Sequence, residues 1–445
     1  MKNIAKFFYA SYETELNLVY KILGVKISVK KSPVKVKSLT KEIRKLVKKV
    51  SKKYKNGEKI KVYFVIYEKS QWTFQSLYDA LDKDAHFEPC VLVFQAWVRN
   101  VADENRNVNQ DLIDFVENLN LRYVTYLDEN NLPDIMFTTM PSYVQANVPL
   151  DVRKLYNKVL FCFHIYGWLL TDDDRVYFGD KNFAHFWKEY VPSPRDYAAA
   201  KKLGPTKGEN VVCSGYLKND SFYNASKSCK LWKNENTKKI IWAPHYSLYP
   251  GGHSLATFDR YYDKIYNYLL NHPEIEMILK PHPLLRRFIG DKDYHSQFNN
   301  AKITFMDLKG YDEYIEKWNN LPNGSVMDSG GYYELFNSAD AMILDSESFV
   351  AEFMIQNKPI CFCNKYEKID SIKSFMNQMG QDLLDSVTIA QNWDDVELFI
   401  QNLLNNVDDK KEDRTKRIKQ YLSVNKTGVG EFIKNDIEKS LNKLL

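Results

Sequence analysis

Three short stretches of the chain put imidazole, hydroxyl, carboxyl and ammonium groups directly after an apolar run. Ile240-Ile-Trp-Ala-Pro-His245-Tyr-Ser247 is the first, Glu276-Met-Ile-Leu-Lys280-Pro-His282-Pro283 the second and Ala341-Met-Ile-Leu-Asp345-Ser346-Glu347-Ser348 the third. His282 sits between two prolines, which fix the backbone and remove competing N–H donors; with Lys280 beside it, this is a rigid place to hold an imidazole against a phosphate. His245, between Pro244 and Tyr246 with Ser247 next, has no acidic neighbour in sequence. It is expected to stay neutral near pH 7 and to be able to accept a proton. Ser348 is placed to cap a helix whose N-terminus suits a phosphate, with Glu352 one turn on and in reach of ribose hydroxyls. Asp345, Ser346 and Ser247 complete the candidate donor-binding set. His253 follows Gly251-Gly252 in a loop that can cover the same cleft, and Lys218 and Asp220 are candidate acceptor or cleft residues. Each has a plainer reading as a surface turn, an ordinary cap or a loop residue. Three such clusters at three strand ends argue for a site, because open parallel sheets bind ligands beyond the carboxyl ends of their strands.

The elements that must position these groups alternate. Apolar runs at 61–67, 89–94, 123–127, 134–137, 158–163 and 210–215 read as buried strands separated by helices, and the rhythm resumes at 239–243, 275–279, 325–327, 340–344 and 359–363. Alternating strands and helices predict parallel sheets with helices on both faces. The segments 4–23 and 185–203 are expected to be helical, the latter broken at Pro192-Ser-Pro194, and 24–38 to be an extended connector. Leu39, Ile43, Leu46, Val47 and Val50 recur at helical spacing with lysines on the other face. The expected organisation is a basic helical N-terminal segment (1–58), an N-terminal domain (59–223), a C-terminal domain (224–405) and C-terminal helices (406–445).

The chain has 445 residues, 44% of them hydrophobic and 27% charged, and a net charge of +5. That length favours two cores over one. Residues 24–59 hold thirteen lysines and Arg44 against Glu42 and Glu58, a local charge of +12, which leaves the rest at −7. Such an arm suits an anionic membrane surface; no motif supports nucleic acid. No run is long enough to span a membrane and no leader is recognised. The six cysteines are expected to be free thiols in a cytoplasmic protein. Asp172-Asp-Asp174 reads as a solvated turn, and nothing in the sequence has metal-ligand spacing. Phosphate-loop, nucleophile-elbow and dinucleotide fingerprints are absent.

The ordered set Trp242-Ala-Pro-His245-Tyr-Ser247, Lys280-Pro-His282-Pro283, Tyr333-Glu-Leu-Phe-Asn-Ser-Ala-Asp340 and Leu344-Asp345-Ser346-Glu347-Ser348 resembles the CDP-glycerol glycerophosphotransferase family of teichoic-acid and capsule enzymes. Gly215-Tyr-Leu-Lys-Asn-Asp220 and Lys358-Pro359-Ile360 extend the likeness, which covers roughly residues 130–365. The resemblance implies a glycosyltransferase-B fold of two Rossmann-like domains, with a CDP-linked donor held mainly by the C-terminal domain. It implies His245 as catalytic base, His282 on the donor phosphates, and Ser348 and Glu352 at the donor-site helix. It also implies a glycan or lipid-linked acceptor, no cofactor or metal, and peripheral attachment at the inner face of the cell membrane. The chain departs from the family where two consecutive histidines become His245-Tyr246 and where Glu347 replaces a serine. Two alternatives stay open: a nucleotide-sugar-dependent glycosyltransferase of the same fold, and a non-catalytic scaffold tethered by the basic arm.

Overall fold

The computed structural model describes residues 9–13, 17–22, 25–30, 41–94, 110–139, 152–248, 254–290, 305–328 and 331–443. Residues Met1–Ser38 form one compact unit and Leu39–Leu445 another. The first unit holds β1 (Tyr9–Glu13), β2 (Asn17–Ile22) and β3 (Val25–Lys30), an antiparallel meander. The helix expected over 4–23 is therefore two strands, and the expected connector contains a third. Tyr12, Val19, Tyr20, Ile27 and Val29 are aromatic or β-branched, the residue types that suit a pleated surface.

In the second unit, seven strands form a wholly parallel sheet: β4 (Ile60–Ile66), β5 (Phe87–Val93), β6 (Tyr123–Val124), β7 (Ile135–Thr138), β8 (Leu160–His164), β9 (Lys188–Val191) and β10 (Val211–Cys213). Their spatial order is β10-β9-β8-β7-β4-β5-β6. β9 lies inside the expected helix 185–203; the helix there is only Pro194–Leu203, started by Ser193, whose side chain accepts the Asp196 N–H. Six more strands, β11 (Lys238–Ala243), β12 (Ile275–Leu279), β13 (Gly324–Val326), β14 (Ala341–Leu344), β15 (Ile360–Cys363) and β16 (Thr388–Ala390), form a second parallel sheet in the order β13-β12-β11-β14-β15-β16. Both sheets have the doubly wound order 3-2-1-4-5-6, the first with one added strand, and each has apolar clusters on its two faces. This is the glycosyltransferase-B architecture.

The basic helix α1 (Lys41–Lys55) buries Ile43, Leu46, Val47 and Val50 in the core of the first sheet. Its apolar stripe is thus spent on the protein, and Lys41, Lys45, Lys48, Lys52 and Lys55 remain exposed along the other face. The C-terminal helix α2 (Val429–Asn442) joins the same core through Val429, Ile433, Ile437 and Leu441. The crossing is tight at Gly215, where φ is +88° and a Cβ would run into the Val424 carbonyl; only glycine fits. Among the described residues no helix is long and apolar enough to cross a membrane.

Candidate functional site

In a doubly wound sheet the chain leaves strands 1 and 4 in opposite directions, which opens a crevice at their carboxyl ends. In the second sheet these strands are β11 and β14. His245 follows β11 by two residues, and Asp345 and Ser346 follow β14 directly. Lys280 and His282 follow β12, on the other side of β11. The topology therefore brings together all three sequence clusters.

Hydrogen bonds lock the strand ends to one another. Asp345 Oδ1 accepts the His245 backbone N–H at 2.6 Å, and Oδ2 accepts the Thr257 N–H at 2.6 Å and its hydroxyl at 2.8 Å. Asp345 is buried, which raises its carboxyl to about 6 against these three bonds. Asp345 accordingly anchors the backbone beneath His245, with both oxygens committed. The His282 N–H donates to the Pro244 carbonyl at 3.0 Å, which ties the β12 end to the β11 end. The two imidazole centroids lie 5.1 Å apart, edge to face, with the Tyr246 ring 4.4 and 4.6 Å from them.

Burial sets the charge of the groups. It pushes His245 down to about 3, helped by His282 and Lys365, and His282 down to about 4, helped by Lys280. Both rings are neutral at pH 7. His245 Nδ1 lies 2.7 Å from Ser247 Oγ, and His282 Nδ1 accepts the Leu284 N–H at 3.1 Å. Among the described residues neither Nε2 has a hydrogen-bond partner. Lys280 is only 6% exposed, and burial lowers its ammonium to about 8. Its Nζ lies 5.2 Å from the Tyr332 ring and 5.6 Å from Phe349 and meets no hydrogen-bond acceptor among the described residues.

The helix α3 (Glu347–Met354) starts after Ser346, two residues earlier than expected, and no side-chain cap bond fills its first turn. The Ser346 and Ser348 hydroxyls are 3.1 Å apart. Glu352, expected at a ribose, is 3% exposed. Its carboxylate accepts Tyr216 at 3.0 Å, Lys218 at 3.4 Å and Tyr332 at 2.5 Å. Lys218 thus lies at the edge of the donor cluster. Asp220 does not: its oxygens accept the N–H groups of Val429 and Gly430 and cap α2. His253 lies outside the described residues.

Lys365, just past β15, was not singled out from sequence, because it reads as part of a polar turn. Its Nζ donates to Ser254 Oγ at 2.5 Å and lies 3.5 Å from the carbonyls of Ser247 and Leu248. Ser254 Oγ donates in turn to the Ser247 carbonyl at 2.7 Å, and the Leu255 N–H reaches Ser247 Oγ at 2.9 Å. Lys365 therefore clips together the two ends of the segment that follows His245. Among the described residues no group of three or more His, Cys, Asp or Glu is placed to hold a metal.

No protein-family model matches the chain, and no curated protein matches it. Solved structures do. The wall teichoic acid polymerase TagF is 16% identical with a TM-score of 0.53, over 93% of this chain and 95% of that one. A variant of TagF solved after a CDPG soak is 14% identical, with a TM-score of 0.53 over 90% and 95%. MnaA of S. aureus with UDP is 12% identical, with a TM-score of 0.52 over 86% and 97%. At these identities the likeness establishes the fold.

Proposed function

We propose that the chain is a transferase that moves a polyol phosphate, glycerol phosphate foremost, from a CDP-activated donor to a hydroxyl of a glycan or lipid-linked acceptor in the synthesis of a bacterial cell-surface polymer. The observation that carries this reading is Lys280: a buried ammonium with no hydrogen-bond acceptor among the described residues, beside two neutral imidazoles and a helix start whose first turn has no side-chain cap bond, at the switch point of a doubly wound sheet. Glu352 and Asp328 attract the ammonium without hydrogen-bonding to it; a buried cation with no hydrogen-bond partner is costly, and a phosphate in the crevice supplies that acceptor. Ser346, Ser348 and the first turn of α3 offer further donors to it. The choice of a CDP-polyol rests on the resemblance of the motif set to the glycerophosphotransferases, and the CDPG-soaked TagF variant supports it.

In this reading Ser247 and Asp345 hold His245 in place. A ribose can replace the Tyr216 or Tyr332 hydroxyl at Glu352, with Lys218 alongside. The exposed lysines of α1 give an anionic membrane or polymer a flat electrostatic docking face, with no insertion, since the apolar face is already buried. The resemblance to UDP-bound MnaA favours the runner-up, a nucleotide-sugar enzyme.

Thermal shift with CDP-glycerol, CDP-ribitol, CDP, CMP, UDP and UDP-sugars separates the two, because a ligand that binds the native state raises its stability. The proposed donor predicts preference for cytidine nucleotides, then release of CMP with formation of a phosphodiester when an acceptor is added. Preference for UDP compounds, with a nucleoside diphosphate released, overturns it in favour of the runner-up. No nucleotide binding at all leaves the scaffold reading.

A further inference from the structure

The hydrogen bonds at the two imidazoles decide which nitrogen carries the proton. At His282, Nδ1 is reached by the Leu284 backbone N–H at 3.1 Å. An amide N–H can only donate, so this Nδ1 holds a lone pair. At His245, Nδ1 faces Ser247 Oγ at 2.7 Å and, more distantly, the Ser247 backbone N–H at 3.4 Å. Ser247 Oγ already accepts the Leu255 N–H at 2.9 Å. Among the described residues its own proton has one acceptor in reach, the His245 Nδ1, and the Ser247 N–H aimed at the same nitrogen also requires a lone pair there. With Nδ1 accepting on both rings, each neutral imidazole carries its proton on Nε2, the nitrogen that has no protein partner among the described residues.

The surroundings agree. A general base must become an imidazolium, and in the serine-protease arrangement a carboxylate at Nδ1 holds that cation. Here a serine occupies that place. The neighbouring carboxylate, Asp345, gives both oxygens to the His245 backbone and to Thr257. The charges facing the pair are cationic: Lys365 near His245 and Lys280 near His282, with each other's ring and the Tyr246 ring between. Burial adds to this, so both rings resist protonation.

We propose that His245 and His282 act as a pair of neutral Nε2–H donors to the phosphoryl oxygens of a nucleotide diphosphate, and that His245 is not the base that deprotonates the acceptor. This rests on reading the crevice as a nucleotide-phosphate site. In the transfer, the acceptor hydroxyl oxygen bonds to the phosphorus of the polyol phosphate. The bridging P–O bond breaks with its electron pair going to the departing nucleotide phosphate, and the hydroxyl proton ends on that phosphate. Neither imidazole changes protonation state. Their contribution is fixed N–H dipoles aimed at developing charge, which need no reorganisation. Neutral imidazole in such an electrophilic role has precedent in enzymes that keep the ring's affinity for a proton low.

Two measurements test this. Two-bond 1H–15N correlation spectra of histidine-labelled full chain, without ligand, read the tautomers directly, with His245→Gln and His282→Gln assigning the signals. Nε2–H on both rings is expected; Nδ1–H on His245 overturns the proposal. The second compares His245→Gln with His245→Ala. A glutamine amide can place an N–H near the Nε2 position but cannot act as a base. His245→Gln is expected to keep CMP release within about tenfold of wild type while His245→Ala falls by about 10²–10³. A glutamine variant as poor as the alanine variant, with both folded by circular dichroism, overturns the donor role. The spectra need no substrate, so a failure of the CDP-polyol reading leaves the tautomer result standing and is recognised separately by the nucleotide panel.

Discussion

Replacing Lys280 by methionine should move the stability of the free protein and its response to nucleotide in opposite directions. The ammonium is 6% exposed, and burial lowers it from 10.5 to about 8. A displacement of that size corresponds to about 3 kcal/mol of destabilisation when the group is charged, at roughly 1.4 kcal/mol per tenfold change in proton affinity. The sign follows from proton counting. Between pH 8 and 10.5 the unfolded chain holds a proton that the folded chain has released, so wild-type stability rises with pH across that window. Below pH 8 the full penalty is present. Methionine removes it but also removes the contacts with Tyr332 and Phe349, at 5.2 and 5.6 Å, worth about 0.5–1 kcal/mol each. Glu352 keeps Lys218 as its counter-charge. The net expectation is a free protein about 1–2 kcal/mol more stable at pH 7, with the advantage fading by pH 10.5. Urea denaturation at pH 7 and pH 10 measures this, and thermal shift with CDP measures the loss of nucleotide-induced stabilisation. A variant less stable than wild type at pH 7, or one stabilised by CDP as strongly as wild type, refutes the argument that Lys280 is a buried charge awaiting a phosphate.

Three further outcomes are expected. Glu189, on β9, is fully buried, neither carboxylate oxygen has a hydrogen-bond partner among the described residues, and burial raises it from 4.5 to about 8. Because the folded chain keeps a proton that the unfolded chain releases above pH 4.5, wild-type stability should fall as pH rises to 8. Against Glu189→Gln, that fall should be on the order of 3–4 kcal/mol between pH 5 and 8 in urea titrations; parallel profiles count against it. Asp345→Asn turns an amide NH₂ toward one of three donors and should cost about 2–4 kcal/mol of stability along with transfer activity; a variant with wild-type denaturation and turnover removes Asp345 from the support of His245. Lys45→Glu/Lys48→Glu/Lys52→Glu on α1 should abolish salt-sensitive sedimentation with anionic vesicles, at about 1 kcal/mol per lysine, while leaving denaturation unchanged; equal sedimentation of variant and wild type rules out the stripe as the docking face.

What the sequence revealed about this site, and what it did not, divides along the reach of each interaction. Parallel strands buried on both faces read as unbroken apolar runs, so β11, β12 and β14 and the polar residues ending them were legible. β9 was not: Trp187 and the two prolines beyond it gave the run no alternation to follow, and its pairing with β8 and β10 is a tertiary fact. The residues of β1 and β2 do not separate strand from helix by pattern, because short amphipathic segments fit both periods. Which residues end the strands at the crevice was legible, but their contacts were not. Lys365 matters only because β15 lies next to β14, and Glu352 is engaged by Tyr216 and Lys218, which lie 136 and 134 residues earlier. His245 shows the limit most clearly. Its position after Pro244 at a strand end marks it as a candidate, yet whether it offers a lone pair or an N–H depends on Ser247, and the Ser247 hydroxyl is turned by the N–H of Leu255, eight residues on and across the clip made by Lys365. A Ser254→Ala variant, which removes the nearest acceptor for Lys365 but leaves every group at the crevice in place, should therefore weaken the preference of His245 for the Nε2–H form. An unchanged 1H–15N spectrum in that variant would mean that the 247–255 turn holds its hydroxyl without the clip, and that Lys365 acts on His245 through its charge alone.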